Sequence, residues 1–289
     1  MHADGYKPLV SIIVPVYGQA AKTAKCFQSI RSSTVMPYEI IWVDNGSDPH
    51  SFDIMKRQAT KPRMHTKVVK FKQNQGFVKA INAGLREVED SSEFIIFLNN
   101  DTEVTRKWAS KLTAPLKDKS VGAVGPVTQS LISWQEPTHL NLRWNLGLPK
   151  YPIGRGLHDA AQSYAAMLHQ SAFVDRFKDI GRIPLSFFCA AFRKEVIEEL
   201  GPLDEDFGMG LGDDDEYCYR LRAHGYRLML SLGTFVFHWH RTTFTSLKLP
   251  IDKIRRHNIA TLKRKKEEYD LKIKKGYVKT RIEHNSTGS

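Results

Sequence analysis

The apolar run Phe94-Ile95-Ile96-Phe97-Leu98 ends on Asn99-Asn100-Asp101. A buried strand that stops on an amide, a polar residue and a carboxylate places oxygen ligands at the mouth of a sheet. Hard divalent cations take oxygen ligands, and Mg²⁺ is usually held by one or two carboxylates plus substrate phosphates. Asp101 is therefore a candidate metal ligand, with Asn99 beside it. Asn and Asp also end strands for turn reasons alone. The tripeptide gains meaning only if the chain also supplies a second ligand, a base and a nucleotide site.

A second ligand is available in His238-Trp239-His240. In a strand, positions 238 and 240 share one face, so two imidazoles could approach one ion. A hydrogen-bonded core histidine explains at least one of them equally well. A base is available in Asp213-Asp214-Asp215-Glu216, which follows the Gly-rich stretch 207–212. Crowded carboxylates raise one another's pKa, which suits a general base. Acids in a first helical turn also cap and complement the dipole. Successive helical residues point about 100° apart, so one acid can cap while another faces a cleft.

Three segments could hold a nucleotide. Pro15-Val16-Tyr17 offers a stiffened turn and an aromatic face. In Asp44-Asn45-Gly46-Ser47 the carboxylate could accept a base N–H or close an Asx turn. In Asn74-x-Gly76-x-x-x-Ala80-x-Asn82-x-Gly84, Gly76 admits a close ligand and Lys79 sits near an anion-favouring helix N-terminus. Ala80 and Gly84 make a flat face for close packing. This is not the dinucleotide fingerprint, because no Gly-x-Gly turn follows the first strand.

These residues need a frame. Strands are expected at 9–14, 39–43, 67–71, 94–98 and 121–127, alternating with helices at 20–33, 52–59, 77–88 and 107–116. That alternation indicates βαβ units and a mainly parallel sheet, whose ligands lie beyond the strands' carboxyl ends. Tyr17, Asp44 and Asp101 all fall there. The pattern is lost over 128–184, too long a stretch for a passive connector. It returns with a strand at 187–192, helices at 194–200 and 213–224, strands over 226–239 and a long charged helix at 251–274.

The 289-residue chain is 41% hydrophobic and 26% charged, as in ordinary globular proteins. No run approaches the ~20 apolar residues of a membrane span, and the start lacks a signal-peptide apolar region. Cys26, Cys189 and Cys218 fit neither a disulfide framework nor a zinc site, so a reducing cytoplasm is expected. Of the net charge of +12, residues 248–281 carry +9, from 13 Lys/Arg against 4 Asp/Glu. Such a tail suits a phospholipid surface or nucleic acid, or is a solvated helix.

Taken together, the segments 10–17, 40–47, 74–84, 97–103, 187–207, 212–226 and 235–244 resemble an inverting family 2 glycosyltransferase of the GT-A fold, closest in style to rhamnosyl- and galactofuranosyl-transferase-like members. The resemblance implies an α/β fold with a mainly parallel Rossmann-like sheet. It implies a nucleotide-sugar-binding half at 1–127, an acceptor and catalytic half at 128–245, and a basic helical tail at 246–289. Pro15, Tyr17 and Asp44 would hold the base and ribose, and Lys79 and Asn82 would lie near the diphosphate or ribose. Asn99, Asn100 and Asp101 stand at the family's Asp-x-Asp position. Asp214 falls on the usual base, with Asp213 and Asp215 as rivals. Asp101 and His238, with Asn99 and His240 as further candidates, would hold Mg²⁺ or Mn²⁺; His238 precedes the pair Thr243-Phe244 as the family's ligand does. The implied reaction moves a sugar from a UDP or dTDP donor to a saccharide or lipid-linked acceptor, as in polysaccharide synthesis, in the cytoplasm or on the membrane's inner face. Alternatives are a transferase acting on modified DNA and an inactive nucleotide-sugar-binding protein. Asn99 departs from the family's first acid and lowers the negative charge of the site.

Overall fold

A computed structural model describes residues 7–59, 65–129, 133–145, 147–148, 157–170, 175–239 and 250–276. The first half alternates as expected: β1 Val10–Val16, α1 Ala20–Ser33, β2 Tyr38–Asp44, α2 Pro49–Ala59, β3 His65–Lys70, α3 Phe77–Leu85 and β4 Phe94–Leu98. A short β5 (Thr102–Val104) follows, then α4 Trp108–Thr113, a 3₁₀ turn Ala114–Lys117 and β6 Val121–Val127. The rest comprises α5 Pro137–Trp144, α6 Leu157–Gln170, β7 Phe177–Asp179, β8 Cys189–Arg193, α7 Lys194–Leu200, a 3₁₀ turn Glu205–Phe207, α8 Asp213–Ala223, β9 Arg227–His238 and α9 Ile251–Lys274.

The strands order as β3-β2-β1-β4-β8-β6-β9-β5, with β7 against β9. Parallel pairing holds through β3-β2-β1-β4 and again for β6 with β9. The sheet is mixed, because β8 runs antiparallel between β4 and β6. Alternate residues face opposite layers. Ile13, Ile41, Val43, Ile95 and Phe97 pack with α3, α7 and α8, whereas Ile12, Val14, Ile40, Trp42 and Ile96 pack with α1 and α4. With both faces covered, these strands read as continuous apolar runs.

Close packing fixes the frame that holds the site. A Cβ on Gly84 would stand 2.4 Å from the Ile13 side chain, so α3 lies against β1 through the small-residue face that Ala80 and Gly84 provide. The ladder of β1 with β4 stops at Ile13. Pro15 thus falls where one edge of β1 has no partner strand, a setting that tolerates a residue without an N–H. Register sets Val16 level with Asp44, which brings the residues after β1 beside the end of β2.

Several elements differ from expectation. Residues 128–184 hold α5, α6 and β7. The strand expected from Phe187 starts at Cys189, because Phe187 and Phe188 bond outside the ladder. The 226–239 stretch is one strand, whose register against β6 jumps from Ser231 to Phe235. His240, Thr243 and Phe244 lie outside the described residues. Among the described residues no helix is long and apolar enough to cross a membrane.

Candidate active site

Two loops merge at the end of β2. The Asn45 N–H bonds Val16 O at 2.8 Å, and Asn45 Nδ2 donates to Asn74 Oδ1 and Gly76 O, both at 3.0 Å. Asn45 Oδ1 accepts the Gln75 N–H at 2.7 Å. Gly46 (φ +80°) has no room for a side chain, since a Cβ would stand 2.6 Å from the Gln73 backbone. Asp44 is fully buried. Its Oδ1 accepts the Ser47 N–H at 3.0 Å, while its Oδ2 is buried with no hydrogen-bond partner among the described residues. An unmatched buried carboxylate oxygen is costly and marks a place for a donor N–H from a ligand. Tyr17, one residue past the Val16 that pairs with Asp44, is half-buried.

Two other residues of this region were expected near the diphosphate or ribose. Lys79 lines an open cleft of about 700 Å³ with Lys70, Lys72, Gln75, Arg86 and Glu205. Asn82 was expected to reach a ligand, but it is 3% exposed and its amide is occupied by the protein. Asn82 Oδ1 accepts the Leu203 N–H at 3.0 Å, and Nδ2 donates to Leu203 O at 2.9 Å and Glu205 Oε1 at 3.3 Å. Asn82 joins α3 to the segment before α8; it is a structural tie.

At the end of β4, Asp101 and His238 meet. Antiparallel pairing of Thr102 with His238 brings β5 and β9 together, and Asp101 Oδ1 lies 3.1 Å from His238 Nε2. Both side chains are under 10% exposed. The His238 ring stacks on Phe188 with centroids 4.8 Å apart and planes at 9°. Gln129 brackets the His238 backbone, accepting its N–H and donating to its carbonyl. The Asn99 amide lies 3.5 Å from Nε2. Asn100 is turned inward, donating to Thr23 Oγ1 at 2.8 Å.

This pair fits a divalent ion. Two ligands bound side by side at about 2.1 Å stand about 3 Å apart, close to the observed spacing. A carboxylate with an imidazole draws the set away from all-oxygen Mg²⁺ sites. Among the described residues no group of three or more His, Cys, Asp and Glu gathers around a point. The remaining ligands would come from substrate and water.

A stripe on α1, not picked out from the sequence, buttresses this turn. Thr23 takes the Asn100 amide, the Cys26 thiol reaches Asn99 O and Thr102 Oγ1, and Ser29 Oγ accepts the Val104 N–H. Burial pushes the Cys26 thiol up to about 12, so it acts as a neutral group. Lys25 and Lys22 lie 5.0 and 5.8 Å from the Trp239 ring, whose backbone N–H bonds Asp101 O. The small polar spacing 23-26-29 is the signal that could have found this stripe.

The four acids of α8 have separate surroundings. The Asp213 carboxylate accepts its own N–H and that of Leu211, yet burial raises its pKa to about 6. Asp215 is also raised by burial, against the pull of Lys266 and Arg222. Glu216 is paired with Arg220 at 2.8 Å. Asp214 is half-buried and accepts backbone N–H groups from Asp215 and Phe187. Burial first, then the charges of Asp213 and Asp215, push it well above the usual carboxylate range.

Residues 186–188 tie these parts together. The Ser186 N–H bonds Gln135 Oε1 at 2.8 Å, the Phe187 N–H reaches Asp214, and Phe188 stacks on His238 and accepts the Asn99 N–H. The loop before α8 touches the nucleotide side as well. A Cβ on Gly76 would stand 2.4 Å from Gly208 O. From the tail, buried Asn258 on α9 donates to the carbonyls of Phe207, Gly210 and Leu211 at 3.3, 2.8 and 3.0 Å. This clamp holds a loop in which Gly208, Gly210, Leu211 and Gly212 all have positive φ.

A family profile described as Glycosyl transferase family 2 matches residues 11–201, well over half of the chain. The chain belongs to glycosyl transferase family 2. The glycosyltransferase AglE of Haloferax volcanii is 29% identical to this family 2 chain over 223 residues, covering 76% of it and 64% of AglE. A pre-mycofactocin glycosyltransferase of Mycobacterium tuberculosis is 24% identical over 233 residues, covering 81% of this chain and 43% of the relative. The chain thus spans less than two thirds of the length of either.

Among solved structures, a mannosyltransferase from Pyrobaculum calidifontis in complex with GDP-Man and Mn²⁺ superposes with a TM-score of 0.56 at 20% identity, over 83% of this chain and 59% of the other. GalNAc-T7 with UDP, GalNAc and Mn²⁺ gives 0.60 at 16% identity, over 84% and 46%. The likeness shows the GT-A fold.

Proposed function

We propose that this chain transfers a glycosyl group, with inversion, from a UDP- or dTDP-sugar to a hydroxyl of a saccharide or lipid-linked glycan. The observation that carries the reading is the 186–188 bridge, which joins the Asp214 carboxylate to the Asp101–His238 pair. Asp44, through its unmatched oxygen, accepts a base N–H, with Tyr17 and Pro15 beside the base and ribose. Lys22 and Lys25 favour the negative charge of the diphosphate, and Lys79 adds to that field. Asp214 takes the proton of the acceptor hydroxyl. That oxygen bonds to the anomeric carbon from one face as the bond to the diphosphate oxygen breaks on the other, and the diphosphate leaves with the electron pair. Asp101 and His238 would hold Mn²⁺ or Mg²⁺, which as a Lewis acid offsets charge on the leaving group.

The test is a donor screen read by mass spectrometry of the products, with dTDP-rhamnose and UDP-galactofuranose included because the subtype resemblance implies them. New glycosides with release of nucleoside diphosphate are expected. Donor binding without product in every combination would leave a binding protein and sink the transferase reading.

The tail supports placement of this reaction at an anionic bilayer. On α9, Lys265 and Arg264 pair with Asp204 and Asp206 on the docked side. Lys253, Arg256, Lys263 and Lys274 are exposed, with Ile259 and Leu271 open among them. Cations with scattered apolar groups suit a headgroup surface. Co-sedimentation with phosphatidylglycerol vesicles, falling as salt rises, is expected. Salt-sensitive binding to duplex DNA with none to vesicles would favour a nucleic-acid acceptor instead.

A further inference from the structure

Trp134 stands apart among the described tryptophans. It is 54% exposed, whereas Trp42 and Trp108 have no exposed surface. Its backbone is nonetheless fixed. The Glu136 N–H bonds Ser133 O, and the Glu136 side chain caps α5 by accepting the Thr138 and His139 N–H groups. Neighbouring Gln135 is 2% exposed and binds three partners: Pro126 O through Nε2, the Ser186 N–H through Oε1 and the Thr128 N–H through its carbonyl. Two side chains one turn apart on α5 hold the indole, the His139 ring tilted against it at 5.9 Å and the Arg143 guanidinium over its ring at 5.7 Å. A large rigid aromatic surface is therefore oriented before any ligand arrives.

Its place in the site says which ligand. Gln135 grips Ser186, and the next residue's N–H reaches Asp214. The path from Trp134 through Gln135 and residues 186–187 limits the distance from the indole to that carboxylate to about 20 Å. Trp134 is thus joined to the base through Gln135 and residues 186–187. We propose that Trp134 is a stacking platform for a pyranose ring of an oligosaccharide acceptor, on a sugar other than the one whose hydroxyl reacts.

A flat apolar ring matches the C–H face of a pyranose, and polar groups at its edge can meet the hydroxyls. A lipid tail would need a contiguous apolar patch, which one indole beside Arg143 and His139 does not make. This inference rests on the glycosyl-transfer reading above.

The experiment uses the full chain with the donor found by the screen, and methyl glycosides and short oligosaccharides as acceptors. Trp134→Ala should raise acceptor KM at least tenfold for disaccharides and longer acceptors. Donor KM and kcat should stay within twofold, and a monosaccharide glycoside should be affected little. Trp134→Phe, which keeps an aromatic face and serves if the Ala variant folds poorly, should raise acceptor KM only about threefold. Equal acceptor KM values in an active wild type and Trp134→Ala would overturn the platform and leave the transferase reading standing. Indole quenching by a single-stranded oligonucleotide and by no saccharide would overturn it in favour of base stacking. A wild type that glycosylates no saccharide would overturn the transferase reading itself.

Discussion

Asp214→Asn is expected to slow glycosyl transfer by about 10²–10⁴-fold, the usual worth of a general base, while donor affinity stays within about twofold. The amide keeps the shape of the carboxylate and can still accept the Asp215 N–H, but it cannot take a proton. Asp213→Asn and Asp215→Asn should cost far less. Asp213 is engaged with the Leu211 N–H and its own, and Asp215 lies in the field of Lys266 and Arg222. Kinetics with all three variants decide the matter; near-full activity in Asp214→Asn would remove it from the role.

The same crowding fixes a pH dependence. Asp214 is pushed well above the usual carboxylate range by burial and by two neighbouring acids, so the acidic limb of kcat/KM should lie well above pH 4. Stability should move the other way. Asp213, raised to about 6, holds its proton more tightly in the folded chain than in the unfolded one. Its stabilising contribution is whole below the unfolded value of about 4 and is lost as pH rises through about 6. At pH 8, above that value, Asp213→Asn removes one of the repelling charges and should raise Tm by a few degrees. At pH 4 the gain should vanish, which a pair of melting curves would show.

The first half of the fold was legible because β1, β2 and β4 are covered on both faces. The run Phe94–Leu98 reads as a strand from sequence and is one in the fold, and α9 falls at 251–274 as its charged periodicity indicates. Legibility failed where side chains instead of periodicity set the backbone. Thr102–Val104 is a strand only because it meets Val236–His238, far along the chain. Phe187 and Phe188 look like strand residues by composition, but their bonds go to Asp214 and Asn99. Among site residues, Asp44 and the pairing of Asp101 with His238 follow from strand ends and a shared edge. Asn82 misled because a motif position near a ligand loop can equally tie two loops to each other. Asn258 was hidden for a similar reason: one amide within a run of cations carries no periodic signal, yet it grips three carbonyls of the loop before Asp213.

Asp101→Ala is expected to abolish the part of donor affinity that depends on divalent cation, a loss of one to two orders of magnitude of the kind seen when a metal site's supporting groups are removed. The partner groups explain why the effect should be this large. Asp101 is 5% exposed and its carboxylate faces the His238 imidazole. Removing it takes the carboxylate from the pair and leaves the His238 imidazole, stacked on Phe188, to face the ion. Nucleoside diphosphate titrations with and without Mn²⁺ read this directly and need no turnover. Unchanged cation dependence in Asp101→Ala would remove the residue from the metal site. The companion change runs in the opposite direction. Asn99 lies 3.5 Å from His238 Nε2, where the resemblance read from the sequence implies an acid. Asn99→Asp adds a charged oxygen ligand beside the Asp101 carboxylate, and ligand charge is one lever on affinity for hard cations. It should tighten Mn²⁺ binding about tenfold in the presence of nucleoside diphosphate. That gain should disappear in the double variant with Asp101→Ala, because two carboxylates around one ion act as a unit.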